Sequence, residues 1–357
     1  MVTIGVDFHK RTSTFQVLNE QGQPVKRCKL DNNKDNIRTF IQSIPGPKLL
    51  AMEATRSWGL FYETTQDLVD KFSLGHPKKM VAITSAEIKN DNVDAMMIAK
   101  LAYGGLLPPA HVSALPVREL KSIVRLRSFL VNQRRGVRNQ IQTLLDRNIW
   151  PTDRPKSFKD PFCKKGLAWM ASLKLSDRER FILDESLVMF NELNIKVNTI
   201  DQFLSSQKVD LPQMPLIQSV PGFKSGGINA YRVLIEISDI TRFANSRGLL
   251  FYGGLIPREH SSGDKQRKGR LVKGCNLNLR TVVIESTFAA IRQDKVLKAF
   301  YKATKEKSGS GAAIIATARK LLCAIYYVLK EQKKYDQNYL IPSATACHSS
   351  QSVLLRN

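Results

Sequence analysis

Over the first hundred residues strand and helix signals alternate, and the alternation stops at Pro108, Pro109 and Pro116. A chain patterned this way must begin with a sheet covered by helices and continue as something else. MVTIGVDF reads as a strand, residues 14–18 as a second and 25–30 as a third, with the polar NEQGQ cluster at 19–23 as a hairpin turn. Ile37, Phe40 and Ile41 recur at helical spacing over 33–44, before Pro45-Gly46-Pro47 ends the helix. Residues 49–53 form a fourth strand, 60–72 a helix, 72–77 a fifth strand and 90–103 a further helix.

The predicted order, β-β-β-α-β-α-β-α, is that of an RNase H-like α/β domain over residues 1–113. Beyond the prolines, Leu120, Ile123, Val124, Leu126, Leu130, Val137, Ile141, Leu144 and Leu145 recur at helical intervals over 117–146. The polar positions of that helix carry Arg118, Lys121, Arg125, Arg127, Arg134, Arg135, Arg138 and Arg147. A second helical stretch over 177–204 suits an antiparallel hairpin within a segment spanning 114–208. Residues 209–335 read as mainly helical with Gly-rich joints, and 336–357 as a loose tail.

The 357 residues carry 55 Lys+Arg against 31 Asp+Glu, a formal charge of +24 that calls for a polyanionic partner. An apolar share of 43% excludes wholesale disorder. The usual partners of such a charge are nucleic acid or an anionic membrane surface, and the longest apolar runs, such as LLCAIYYVL, fall short of the roughly 20 residues that span a bilayer, so membrane insertion is not expected. MVTIGVDFHK lacks the features of a signal peptide, so the expected location is the cytoplasm. Five scattered cysteines without a CxxC spacing argue against a disulfide framework or a zinc site.

Asp7 interrupts the first strand in GVDFHK, Glu53 ends the fourth in LLAMEATR, and Asp91 and Asp94 share one face at the start of a helix in KNDNVDAMMIAKL. Helix N-termini favour acids, so capping accounts for Asp91. It does not explain Asp94 or the two strand acids. Such hard oxygen donors suit Mg²⁺ or Mn²⁺, and a pair of ions about 3.5 to 4 Å apart can stabilise both oxygens of an in-line phosphoryl displacement. The stretch GGLIPREHSSGDKQRKGRLVKGCNLNLR joins Ser261 and Ser262 to Arg258, Lys265, Arg267, Lys268, Arg270, Lys273 and Arg280. It reads either as a solvated basic loop that holds phosphates or as a loop presenting a serine nucleophile, which needs a base or a metal to activate it. LIQSVPGFKSGGINAYRVLIEI resembles a helix-hairpin-helix element able to grip a phosphate, with Phe223 and Lys224 where a second glycine is usual.

These pieces, in this order, resemble the transposases of the IS110 and IS1111 group of bacterial insertion sequences, which includes the Piv-type DNA invertases. The resemblance runs from GVDFHK to about Lys334. It implies a RuvC-like domain with an Asp-Glu-Asp-Asp metal set at Asp7, Glu53, Asp91 and Asp94, with Asn90 replacing a usual threonine. A coiled-coil segment and a mainly helical C-terminal transposase domain follow. There the family's G-L-x-P and S-G units match Gly254, Leu255, Pro257, Ser262 and Gly263, and the downstream K-x-G-N becomes Lys273, Gly274, Cys275 and Asn276, with Cys275 at the place of the glycine. Ser262 is preferred to Ser261 because S-G is the more constant unit. The resemblance further implies a phosphoserine link to DNA, and dimers assembling into tetramers whose active sites draw on two protomers. It also implies a structured bridge RNA that selects donor and target DNA, so that base pairing reads sequence and the protein reads shape. In that setting Arg125, Arg134, Arg135 and Arg138 would contact nucleic-acid backbone alongside Lys265, Arg267, Lys268, Arg270 and Lys273. For the helix arginines, the exposed face of a dimerising coiled coil is the competing reading.

The expected function is RNA-guided cutting and rejoining of DNA strands, by a protein associated with the nucleoid when bound to DNA. A Piv-like invertase acting on a fixed site, a RuvC-like junction nuclease without serine chemistry and a non-enzymatic nucleic-acid scaffold are the alternatives.

Overall fold

The computed structural model describes residues 1–81, 91–157, 160–206, 211–223, 227–262, 265–272 and 274–340. The chain divides into two compact units, Met1–Ser113 and Ala114–Asn357.

The first unit runs β1 (Val2–Phe8), β2 (Thr12–Leu18), β3 (Pro24–Asp31), α1 (Lys34–Gln42), β4 (Lys48–Glu53), α2 (Trp58–Thr65), β5 (Lys71–Gly75), α3 (Pro77–Val81) and α4 (Asp91–Tyr103). Its five strands form one mixed sheet in the order β3-β2-β1-β4-β5. β1 pairs antiparallel with β2 and parallel with β4. The β2–β3 turn is built by Asn19, whose side-chain oxygen accepts from the N–H groups of Gln21 and Gln23, and by Gly22 at φ 75°. Strand alternation gives the sheet two apolar faces. Ile4, Val6, Phe15, Val17, Leu50 and Met52 pack against Ile37, Phe40 and Ile41 of α1 and Phe61 of α2. On the opposite face Leu49 and Ala51 meet Met80 of α3 and Ile98, Leu101 and Ala102 of α4.

The helix predicted over 60–72 stops at Thr65, continues as a 3-10 turn at Gln66–Leu68 and gives way to β5 at Lys71. Polar bonds pin the break. Arg38 donates to both carboxylate oxygens of Asp67 at 2.8 and 2.7 Å, and Asp70 accepts the Lys48 N–H at 2.7 Å.

The second unit runs α5 (Leu115–Asn148), α6 (Lys164–Ser172), α7 (Asp177–Ser206), α8 (Met214–Ser219), α9 (Ile228–Ile237), α10 (Ser246–Tyr252), β6 (Pro257–Ser262), β7 (Lys265–Leu271), α11 (Leu277–Gln293) and α12 (Lys295–Glu331). α5 and α7 form an antiparallel hairpin. The pairs Arg127–Asp201, Arg134–Asn194 and Arg147–Glu179 advance along one helix as they recede along the other. Val137, Ile141 and Leu144 of α5 pack with Leu183 and Phe190 of α7 and Met170 of α6. A separate core joins α8 to α12 through Phe223, Leu249, Val282, Leu321 and Ile325. Among the described residues, α12 is the one helix long and apolar enough to cross a membrane by length and composition, and 56% of its apolar window is buried in the protein.

The stretch read as a basic loop is instead a two-stranded antiparallel hairpin. β6 and β7 pair Ser262 with Lys265, His260 with Arg267 and Pro257 with Leu271, with a register shift between Pro257 and Glu259. Its strands lack the apolar alternation that marks a half-buried strand, so backbone pairing went unsignalled in the sequence.

Candidate active site

Asp7 lies near the C-terminal end of β1 and Glu53 at that of β4, its parallel neighbour. By alternation Thr3, Gly5 and Asp7 share a face, as do Leu49, Ala51 and Glu53, and this is the face that α4 covers. Gly5 explains how closely α4 sits. A Cβ there would overlap the Ala95 carbonyl oxygen and reach within 2.5 Å of the Ala99 nitrogen. Asp94 precedes Ala95 and stands one turn before the buried Ile98, so the packing of α4 on β1 brings it alongside the strand bearing Asp7. Asp91 opens α4, and its side chain lies outside the described residues.

The Asp7 side chain is 14% exposed and meets His9 Nε2 at 2.9 Å. Across the ladder Asp7 faces Thr14, whose buried Oγ1 has no hydrogen-bond partner. Among the described residues no three His, Cys, Asp or Glu side chains form a group that could hold a metal ion. The fold puts Asp7 and Glu53 on one sheet face, with Asp94 near the start of the helix that covers it. Hard carboxylate oxygens beside an unsatisfied hydroxyl are nevertheless chemically suited to Mg²⁺ or Mn²⁺. Gly5 and Thr14 were missed in the sequence; a glycine inside a strand is a signal of close backbone approach, whereas Thr14 becomes visible only through the strand register.

Ser262 ends β6, next to the turn of the β6–β7 hairpin. The side chains of Ser261, Ser262, Lys265, Arg267, Lys268 and Arg270, and Lys273 as a whole, lie outside the described residues. The base of the hairpin is well defined. Arg280, grouped in the sequence with the phosphate-binding cations, has its guanidinium turned to the main chain. Its Nη2 donates to the Gly254 and Val272 carbonyls at 2.8 and 2.5 Å and contacts Cys275 Sγ at 2.9 Å. Gly254, at φ 63°, leaves room for this arginine: a Cβ there would collide with Arg280 Nη2. Asn276 caps α11 by accepting the Leu279 N–H at 3.0 Å. Its Nδ2 donates to the buried Glu236 and to the Tyr252 hydroxyl, each at 2.8 Å. The strand pair that carries Ser262 is thus fixed at its root. Glu236, an acid inside the apolar run VLIEI, was the available sequence signal for this network.

That same Glu236, fully buried, receives both Nε and Nη2 of Arg125 at 3.2 Å. Burial works against the Arg125 cation, and the bond and charge of Glu236 more than offset it, so its pKa is raised. Arg134 donates to Asn194 at 2.7 Å, and Arg138 donates to Asp160 at 3.0 Å while lying over the Phe162 ring. Of the four helix arginines expected on nucleic acid, Arg125 and Arg135 are exposed and Arg134 and Arg138 partly so, and all but Arg135 make a side-chain bond within the described residues. The others stitch α5 to the rest of its unit.

Residues 4–150 match a DEDD-type IS110 family model described as a transposase, and residues 214–302 match the transposase IS116/IS110/IS902 family. The chain is 24% identical over 342 residues to the transposase for insertion sequence element IS1111A of Coxiella burnetii, covering 93% of this chain and 90% of that protein. It is also 24% identical over 293 residues to a protein of Pseudomonas aeruginosa named a probable family 20 transposase, covering 81% and 84% of the two chains. Asp7, Glu53, Asp91 and Asp94 fall within the first matched region and Ser262 within the second, and with these matches and relatives the protein belongs to the IS110 family of transposases, enzymes that act on DNA.

Proposed function

We propose that this transposase moves its insertion sequence by metal-dependent cutting and rejoining of DNA, with Asp7, Glu53, Asp91 and Asp94 as the acidic set and Ser262 as nucleophile. The observation that carries the reading is the shared sheet face of Asp7 and Glu53 under α4, which bears the other two acids. Mg²⁺ or Mn²⁺, when bound, would neutralise charge on the scissile phosphate and favour the serine alkoxide. The chain itself orients these groups. β1 and β4 fix two carboxylates from neighbouring strands, and α4 sets Asp94 in its first turn, where the helix dipole favours negative charge. Ser262 Oγ attacks phosphorus and the bond from phosphorus to one sugar oxygen breaks. The serine proton is lost and a sugar hydroxyl is released. Rejoining reverses this, as a hydroxyl from another strand displaces the serine. The basic β7 strand, with Lys265, Arg267, Lys268 and Arg270, supplies positive charge beside that phosphate.

In this reading the DNA partners are chosen by a bridge RNA, and protomers assemble through dimers into tetramers, one contributing acids and another serine. Asp7→Asn and Asp94→Asn are expected to abolish strand exchange on a DNA bearing the element's ends while leaving DNA binding within about threefold of wild type. Retained exchange in both variants would refute the acidic set. RNA copurifying with the protein should be one discrete transcript from the element's flank, and bulk cellular RNA would refute the guided mechanism.

A further inference from the structure

A cleft of about 400 Å³ is lined by residues of α5, by Gly222 and Phe223 after α8, by the start of α9 and by Glu285 of α11, and by none of the acids or serines of the candidate active site. Three arginines are among its lining residues: Arg127, Arg134 and Arg232. Arg232 is the informative one. Its side chain is 5% exposed, its Nη1 donates to Asn229 at 2.9 Å and to Glu285 at 2.7 Å, and its buried Nε has no hydrogen-bond partner. A buried charged donor left unsatisfied is costly, and is expected where a ligand completes it. The N-terminus of α9 opens on the same cleft through Gly227, Ile228 and Asn229, and its Gly227 cap has no side chain to satisfy the first-turn amides.

The charge balance points the same way. Asp201 neutralises Arg127 and Glu285 neutralises Arg232, whereas Arg134 bonds only the neutral Asn194. Among the described lining residues one positive charge is left over. Burial, followed by the repulsion of Arg127 and Arg138, lowers the pKa of Arg134, and an anion in the cleft would relieve that repulsion.

We propose that this cleft is a phosphate subsite that holds one backbone phosphodiester of a nucleic-acid strand, through the α9 N-terminus, Arg134 and Arg232. The proposal rests on the reading of the protein as a nucleic-acid-handling enzyme, but not on its acid or serine chemistry.

The test uses the full-length protein without divalent metal. Binding of a labelled short DNA duplex of arbitrary sequence and of a single-stranded RNA is followed by fluorescence anisotropy across a salt series. Asn229→Asp puts a carboxylate into the cleft at a helix position where acids stabilise, so the fold should hold or melt slightly higher. It should weaken binding about tenfold on at least one of the two strands. Arg134→Gln should weaken it less and reduce the salt slope by about one counterion. Weakening on DNA or on RNA supports the subsite and identifies the strand it holds. If wild type binds and both folded variants keep its affinity and salt slope on both strands, the subsite is refuted alone. Wild type that binds neither strand would refute both the subsite and the nucleic-acid reading beneath it.

Discussion

At Gly5 a missing side chain decides how closely a helix can approach a strand, and with it where Asp94 stands relative to Asp7. Gly5→Ala drives a methyl group into the backbone of α4. It is expected to cost about 1–3 kcal/mol in urea unfolding, and to reduce strand exchange beyond what the loss of folded protein explains. Lys121 makes a different demand. It is half-buried in the network around Glu236, and its pKa falls to about 8, mainly through burial, with Arg242 and Arg125 adding repulsion against the attraction of Glu236. Folding therefore releases this proton early, and the unfolded chain binds more protons between about pH 8 and the ordinary lysine value. Stability should rise with pH across that window, and the full penalty of the buried cation should be felt below it. Lys121→Met is expected to raise the thermal midpoint at pH 7 and to flatten the rise in alkaline melts. Parallel profiles for variant and wild type would assign the effect to another group.

Elements differ in how openly the sequence announces them. The three strands, the helix and the fourth strand of the first unit were legible because apolar residues alternate or recur at helical spacing, with Asn19–Gln23 and Pro45–Pro47 as punctuation. β6 and β7 were hidden, since PREHSS and KQRKGRL offer no apolar alternation and look like solvated loop. The arginines of α5 were legible as charge but not as partners. Arg125 finds Glu236 at a separation of 111 residues, which no local pattern encodes. The acids on β1 and β4 could be picked out because a carboxylate in an apolar strand stands apart. Their common face required the strand order. α12 hides a break of its own: Gly309, at φ 79° and ψ 168°, separates two helical stretches in a conformation that side chains resist. Gly309→Ala is expected to lower stability by about 1–3 kcal/mol although its Cβ would meet nothing within 4 Å, so the loss would be conformational rather than steric.

For the whole molecule, the +24 charge, the acid face and the serine hairpin fall to different parts of one chain. The acids belong to Met1–Ser113 and the serine to Ala114–Asn357. A division of this kind allows the two halves of a site to come from different protomers. Mixing Asp94→Asn protein with Ser262→Ala protein should then restore part of the strand exchange that each lacks alone. No recovery in verified mixed oligomers would place both halves in one protomer. The most direct measurement is capture of the DNA–protein link. Wild-type protein is incubated with DNA carrying the element's ends and Mg²⁺, quenched in denaturant, and the modified peptide is located by mass spectrometry. A denaturant-stable adduct on Ser262, kept in Ser261→Ala and lost in Ser262→Ala, is the expected result. Strand exchange that proceeds at wild-type rates in Ser262→Ala, or without any covalent adduct, would contradict it.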